Sequence, residues 1–177
     1  MKILKYLLLI LLSIIVLVVV IGLFSPSVSY GYTVDIKKPI EKTWDISQDQ
    51  SQYHKWLEGF QSMELLSGEY MKEGSTYKVI VNPGEGQDDF EMIETLISIK
   101  ENDHVQLHFD SEMMDFDQTM TFTEENGVTT IKTDSKVIPK GVMMRAMFTL
   151  MEGLGGAFTK QEAKNMEALK ELVESSD

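Results

Sequence analysis

Residues Tyr6 to Phe24 form an apolar run with one Ser, one Gly and no charge, placed ahead of everything else in the chain. As a helix, about 19 residues at ~1.5 Å each reach about 28 Å, close to the thickness of bilayer hydrocarbon. A water-soluble domain has no use for such a segment at its start. Lys2 and Lys5 precede the run, and positive charge stays on the cytoplasmic side. Residues 1–24 therefore read as a single-pass signal anchor, with the N-terminus cytoplasmic and the rest of the chain extracytoplasmic. The competing reading is a cleavable signal peptide, whose apolar core runs about 7–15 residues before a small-residue cleavage site. The run is longer than that, although Ser25-Pro26-Ser27-Val28-Ser29 supplies small residues and leaves cleavage open. The chain contains no Cys, which excludes a lipoprotein-type anchor through Cys, disulfides and thiol catalysis.

After a short linker at 25–30, residues 31–175 are the right length for one ordinary domain. A domain of that size buries roughly two-thirds of its surface and needs no staples. The net charge is −12, and Lys2 and Lys5 contribute +2 of it, so the rest carries −14. Such a domain is repelled by nucleic acid and by anionic headgroups, which excludes a nucleic-acid partner. The chain has twelve Met. Their flexible, polarizable side chains suit irregular apolar pockets as well as ordinary cores.

Tyr32, Val34 and Ile36 alternate with polar residues and predict a strand over 30–38. Pro39 then starts a short helix through Ile46. Tyr53, Trp56, Leu57 and Phe60 recur at helical spacing and predict a second short helix ending near Gly59. From Met63 onward the pattern is strands. Met63 to Leu66 runs into the Ser67-Gly68 turn, and Thr76–Val81 precedes a turn-rich stretch at 82–86. Phe90–Ile99, then Val105, Leu107 and Phe109, then Phe116, Gln118, Met120 and Phe122 each follow the strand pattern. Asn126-Gly127 is a strong hairpin signal before Val128–Ile138. Short connections imply an antiparallel meander. Val142–Glu174 reads as one long helix, with Gly153, Gly155 and Gly156 expected to weaken or kink it. The sum is an α+β domain: a curved antiparallel sheet of about seven strands, covered by a long C-terminal helix, with a hollow left where the two surfaces diverge.

The order and spacing of several short motifs carry a resemblance. Pro39-Ile40-Glu41-Lys42-Thr43-Trp44-Asp45, Tyr53-His54-Lys55-Trp56, Gly74-Ser75-Thr76-Tyr77 and the closing Leu169-Lys170-Glu171-Leu172-Val173-Glu174 resemble the SRPBCC (START-like, polyketide cyclase/dehydrase) superfamily. The likeness covers roughly residues 31–175. It implies a helix-grip fold with an apolar cavity between sheet and C-terminal helix, holding lipids, sterols, polyketides or other hydrophobic molecules; a few members are cyclases. With its N-terminal helix the chain is similar to a membrane-anchored subgroup.

The candidate lining of that cavity is Trp56, Phe60, Met92, Met143, Met147, Met151 and Phe158, residues that core packing would use equally well. Weak catalytic candidates are Glu94, a lone acid in an apolar strand; His108; and Arg145, the only Arg. Glu94 would act as a general base if burial raised its pKa, or would pair with Arg145. Arg145 would hold a ligand carboxylate bidentately if it faced inward, and otherwise snorkels to water or pairs with an acid. His104 and His108 lie about 13 Å apart along a strand at ~3.3 Å per residue, too far to share a metal ion. Asp110, Glu112, Asp115 and Asp117 lack Ca²⁺-loop spacing and read as a solvated turn. Gly84-Glu85-Gly86 sits among acids, which argues against a phosphate loop.

No metal cluster, nucleophile–base pair or cofactor motif is visible, so no cofactor is expected. The leading function is a membrane-tethered, non-catalytic module for a hydrophobic or lipid-like small molecule. A cyclase or dehydratase using Glu94, His108 or Arg145 is the enzymatic alternative. An envelope protein-interaction module with a vestigial cavity is the third.

Overall fold

A computed structural model describes residues 2–176 except 83, 85 and 87, so part of the turn-rich stretch at 82–86 lies outside the described residues. The apolar run forms helix α1 (Lys2–Phe24). The Ser13 hydroxyl donates to the Leu9 carbonyl at 2.8 Å, which satisfies it inside the helix itself. Strand β1 (Val28–Ile36) follows after only residues 25–27, starting two residues earlier than the alternation indicates.

Pro39 precedes α2 (Ile40–Gln48), where its fixed φ and missing N–H suit the helix start. A single 3₁₀ turn (Gln50–Gln52) leads to α3 (Tyr53–Trp56). This second helix is one turn long, shorter than its sequence spacing predicts. Leu57 is already extended (φ −88°, ψ 108°) and its N–H closes the last helical bond to Tyr53 at 2.8 Å. Phe60 therefore opens a strand rather than ending a helix.

The meander is β2 (Phe60–Ser67), β3 (Thr76–Val81), β4 (Phe90–Lys100), β5 (His104–Asp110), β6 (Met114–Glu125) and β7 (Val128–Pro139). All pairs are antiparallel, in the order β1-β7-β6-β5-β4-β3-β2. Asn126 and Gly127 both take positive φ, 54° and 77°, the conformation a two-residue hairpin turn requires. Because β1 joins β7 while β2 sits at the far edge, α2 and α3 carry the chain across the open end. In β7 every second residue from Thr129 to Pro139 is buried, the signature of a sheet with one covered face.

The C-terminal segment is two helices, α4 (Val142–Gly155) and α5 (Ala157–Ser175), rather than one kinked rod. Gly156 sits in the left-handed region (φ 59°, ψ 42°), and its N–H bonds back to the Glu152 carbonyl at 2.7 Å. That arrangement ends a helix and is open to Gly without a Cβ penalty. The Glu152 carboxylate then accepts from the Phe158 N–H at 2.8 Å and the Thr159 N–H at 3.3 Å, so α5 starts on a cap borrowed from α4. Burial opposes the charge on Glu152, but these bonds prevail and hold its pKa below the ordinary value.

Met166, Leu169 and Val173 of α5 are almost fully buried against Val34, Ile36, Phe122 and Ile131 of the sheet. Trp44 of α2 closes this core edge-on against Phe122, ring centroids 5.0 Å apart. A smaller cluster of Val28, Val137 and Phe148 seats α4 over the other end of β1 and β7.

Candidate ligand cavity

Where α3 and the first half of α5 stand away from the sheet, they leave a cavity of about 250 Å³. Its size falls just below the ~300–1,000 Å³ typical of drug-sized ligand pockets. Odd-numbered positions of β5 point into it: Val105, Leu107 and Phe109. Strand β6 contributes Phe116, Gln118 and Met120, β3 contributes Val79 and Val81, and β4 contributes Met92 and Glu94. Tyr53 and Trp56 come from α3, Phe60 and Met63 from β2, and Phe158, Glu162 and Met166 from α5.

Aromatic contacts fix much of the wall. Tyr53 meets Trp56 and Phe60 edge-on, with centroids 5.7 and 5.6 Å apart. Phe158 stacks on Tyr30 at 5.5 Å, and Phe109 on Phe116 at 5.2 Å. At the rim, Glu58 bonds Gln161 Nε2 at 2.6 Å and pairs with Lys164, while the Glu58 N–H donates to Asn165 Oδ1 at 3.1 Å. Hydrogen bonds from Lys164 and Gln161 hold the Glu58 carboxyl below its ordinary pKa.

Two carboxyls stand inside the apolar wall. Glu94 is 8% exposed, and burial pushes its pKa up to about 7. Glu162, also buried, accepts from Gln118 Nε2 at 3.2 Å; its pKa is raised by burial, with the Thr133 hydroxyl opposing. Burial, then the charges of Glu162 and Glu152, holds the Tyr30 hydroxyl far above its ordinary range. Burial, then Glu94, does the same for Tyr53. Both phenols are neutral donors at any physiological pH. Trp56 is buried, and its indole N–H has no hydrogen-bond partner among the described residues.

Of the residues the sequence nominates, Trp56, Phe60, Met92, Phe158 and Glu94 meet at this cavity. Met143, Met147 and Met151 do not: they lie on the outer face of α4, all exposed. The break at Gly156 is the reason, because it frees α4 from the line of α5 and carries its methionines off the cavity wall. His108 points out of the sheet and bonds Asp117 Oδ1 at 2.7 Å. Arg145 Nε donates to the Pro139 carbonyl at 3.2 Å and does not pair with Glu94. Lys140 bridges Asp110 (2.8 Å) and Asp115 (2.9 Å), which offsets part of the charge of an ordinary acidic surface turn. No cluster of metal-ligating side chains occurs among the described residues.

Glu162, Gln118, Tyr30 and Tyr53 are wall residues that the sequence reading did not nominate. Spacing held the signal for two of them. Glu162 continues the Phe158–Met166–Leu169 helical stripe, and Gln118 shares the Phe116–Met120 strand face. A polar residue in register with an apolar stripe is a buried polar residue.

The family model described as "Polyketide cyclase / dehydrase and lipid transport" matches residues 27–174. The chain belongs to that family. It is thus an SRPBCC, START-like chain with a helix-grip fold, and solved structures agree. The crystal structure of Ara h 8.0201 is 15% identical with a TM-score of 0.65, covering 85% of this chain and 99% of that one. A conserved protein from Geobacillus kaustophilus is also 15% identical with a TM-score of 0.65, covering 82% and 95%. The di-domain ARO/CYC BexL from the BE-7585A biosynthetic pathway is 14% identical with a TM-score of 0.64, covering 86% of this chain and 52% of that one. At such identities the likeness is one of fold. No curated protein sequence matches this polyketide cyclase/dehydrase family member.

Proposed function

We propose that this chain is a membrane-tethered domain that holds a hydrophobic small molecule in its cavity without transforming it. The observation that carries the reading is the cavity itself, about 250 Å³ walled mainly by aromatic, Met and Val side chains. Packing a core solid stabilises a fold, and a void of this size forfeits that stabilisation. Its size suits a single-chain or small-ring molecule rather than a two-tailed lipid.

Several features support the membrane side of the reading. Ile3–Phe24 is long and apolar enough to span a bilayer and is almost wholly unburied by the domain. Only residues 25–27 separate it from β1, a reach of about 10 Å at ~3.5 Å per residue, so the domain would rest at the lipid surface. Gly22 is buried against the start of α4, where a Cβ would come within 2.0 Å of the Val142 carbonyl oxygen. Helix α4, which packs on α1, leaves a stripe of Met143, Met147, Met151 and Leu154 exposed, a face that an interfacial helix would turn to lipid. Lys2 and Lys5 favour a cytoplasmic N-terminus and an extracytoplasmic domain.

A second reading is favoured by one observation: a buried carboxyl with a pKa near 7, Glu94, is poised as a general base. That would make the chain a cyclase or dehydratase. Native purification of the full chain, solvent extraction and mass spectrometry test the choice. One intact hydrophobic molecule per chain is expected. Recovery of substrate and product together supports the enzyme, and an empty domain overturns both readings.

A further inference from the structure

Resting on the binding reading above, we infer that the cavity selects hydrophobic amines and alcohols and rejects molecules ending in a carboxylate or phosphate. The inference concerns the polar atoms of the wall rather than its apolar area. Three carboxyls line the cavity, Glu58 at the rim and Glu94 and Glu162 inside, and among the described residues no Lys, Arg or His lines it. Lys164 serves Glu58 alone, from the solvent side. An anion entering this space would be desolvated beside like charge with no cation to meet it.

Glu94 is the selecting group. In β4 it is paired across the sheet with Tyr77 of β3 and Phe109 of β5. The Tyr77 hydroxyl is committed elsewhere, accepting from the Met71 N–H at 2.9 Å. The other titratable groups near Glu94 are Tyr53 from α3, whose phenol feels its charge, and Tyr70 from the β2–β3 connection, which lines a smaller hollow with both; Glu162 of α5 lies elsewhere on the cavity wall. The Glu94 carboxyl makes no hydrogen bond or ion pair among the described residues, and the residue is 8% exposed, its access being to the cavity it lines. Leaving a buried carboxyl unpaired is costly. A ligand donor placed against it removes that cost, and an ammonium adds a charge-assisted bond. Trp56 supplies the complement. It lies on the same wall, and its indole N–H is buried and unpartnered among the described residues, a donor and not an acceptor, and no cation for an anion to meet. Glu162, already bonded by Gln118, keeps the far wall polar at one point and equally hostile to anions.

The test uses the full chain in zwitterionic lipid discs, titrated with decylamine, decanol and decanoate and read by Trp fluorescence, with empty discs correcting for partition. At pH 8 decylamine and decanol are expected to bind at least about tenfold more tightly than decanoate, a difference of about 1.4 kcal/mol. Lowering the pH to 6 protonates Glu94 and is expected to weaken decylamine several-fold while leaving decanol nearly unchanged, because the alkylammonium stays charged throughout. Glu94→Gln should weaken decylamine about tenfold at pH 8 and decanol by less than about threefold. Decanoate binding as tightly as decylamine at pH 8 overturns the inference. So does a decylamine affinity indifferent to both pH and Glu94→Gln; the pH arm stands alone if that variant does not fold. Failure of all three probes to bind is a different result, and it sinks the binding reading itself.

Discussion

The two C-terminal helices present apolar residues at the same spacing to opposite surroundings. In α5, Met166, Leu169 and Val173 face the sheet and are buried, while Lys160, Lys164 and Glu171 face water. In α4, Ala146 and Phe148 are buried, and the exposed stripe is Met143, Met147, Met151 and Leu154, the last 84% exposed. A helical stripe of methionine therefore announces that a helix has an apolar partner, but not whether that partner is a protein core or a bilayer. α5 packs along β1 and α3, and α4 packs along α1.

The largest expected effect separates the helices by stability. Leu169→Ala empties a fully buried site and should destabilise the domain by about 2–5 kcal/mol in denaturant unfolding. Met147→Ala, on the exposed stripe, should change it by less than about 0.5 kcal/mol. Equal losses would mean that α4 is as much a core helix as α5.

Burial of Glu94 in the cavity wall, near Tyr53 of α3, gives the cavity side of the molecule a pH signature. Its pKa is about 7 against an ordinary 4.5. Between those values the folded state holds a proton that the unfolded state has released, so stability falls as pH rises and the loss is complete above about pH 7. Relative to Glu94→Gln, the wild-type chain should lose on the order of 3 kcal/mol from pH 4.5 to pH 8. Parallel profiles for the two proteins would show that Glu94 is hydrated or paired in solution.

The junction between the helices should respond more weakly. Glu152→Ala removes the acceptor for Phe158 and Thr159 and should cost about 1 kcal/mol, as lost helix caps do. Amide exchange in the first turn of α5 would report it. The smallest effect concerns surroundings rather than stability. A Trp placed at Met147 should be quenched by brominated lipids in discs, and a Trp at Lys164 should not. Quenching of neither, or of both, would detach α4 from the membrane surface.

This contrast also explains what the sequence made legible. Strand alternation and the Asn126-Gly127 turn are local rules, and the meander follows them closely; Thr76–Val81, for example, occupies the residues its pattern indicates. The helix over Lys2–Phe24 is legible because an unbroken run of eighteen or more apolar residues without Pro has few other conformations open to it. Half of the cavity was legible as well, since Trp56, Phe60, Met92, Phe158 and Glu94 belong to elements whose direction the pattern sets. The misplacement of Met143, Met147 and Met151 came from Gly156. Three nearby glycines signal a weak point, but the left-handed turn that parts two helices depends on the Glu152 cap and on packing at both ends. His108, only a weak candidate, follows the local rule: its strand neighbours Leu107 and Phe109 face inward, so it faces out and bonds Asp117.

Methyl-labelled methionine spectra of the full chain in lipid discs, recorded as decanol is added, put both helices and the cavity into one measurement. Met63, Met92, Met120 and Met166 line the cavity, whereas Met143, Met147 and Met151 do not. The methyl signals of the first four should shift saturably, and those of the other three should move no more than decanol in the lipid alone would cause. Saturable shifts confined to the α4 methionines, or no saturable shift at any methionine, would contradict a ligand chamber beneath α5.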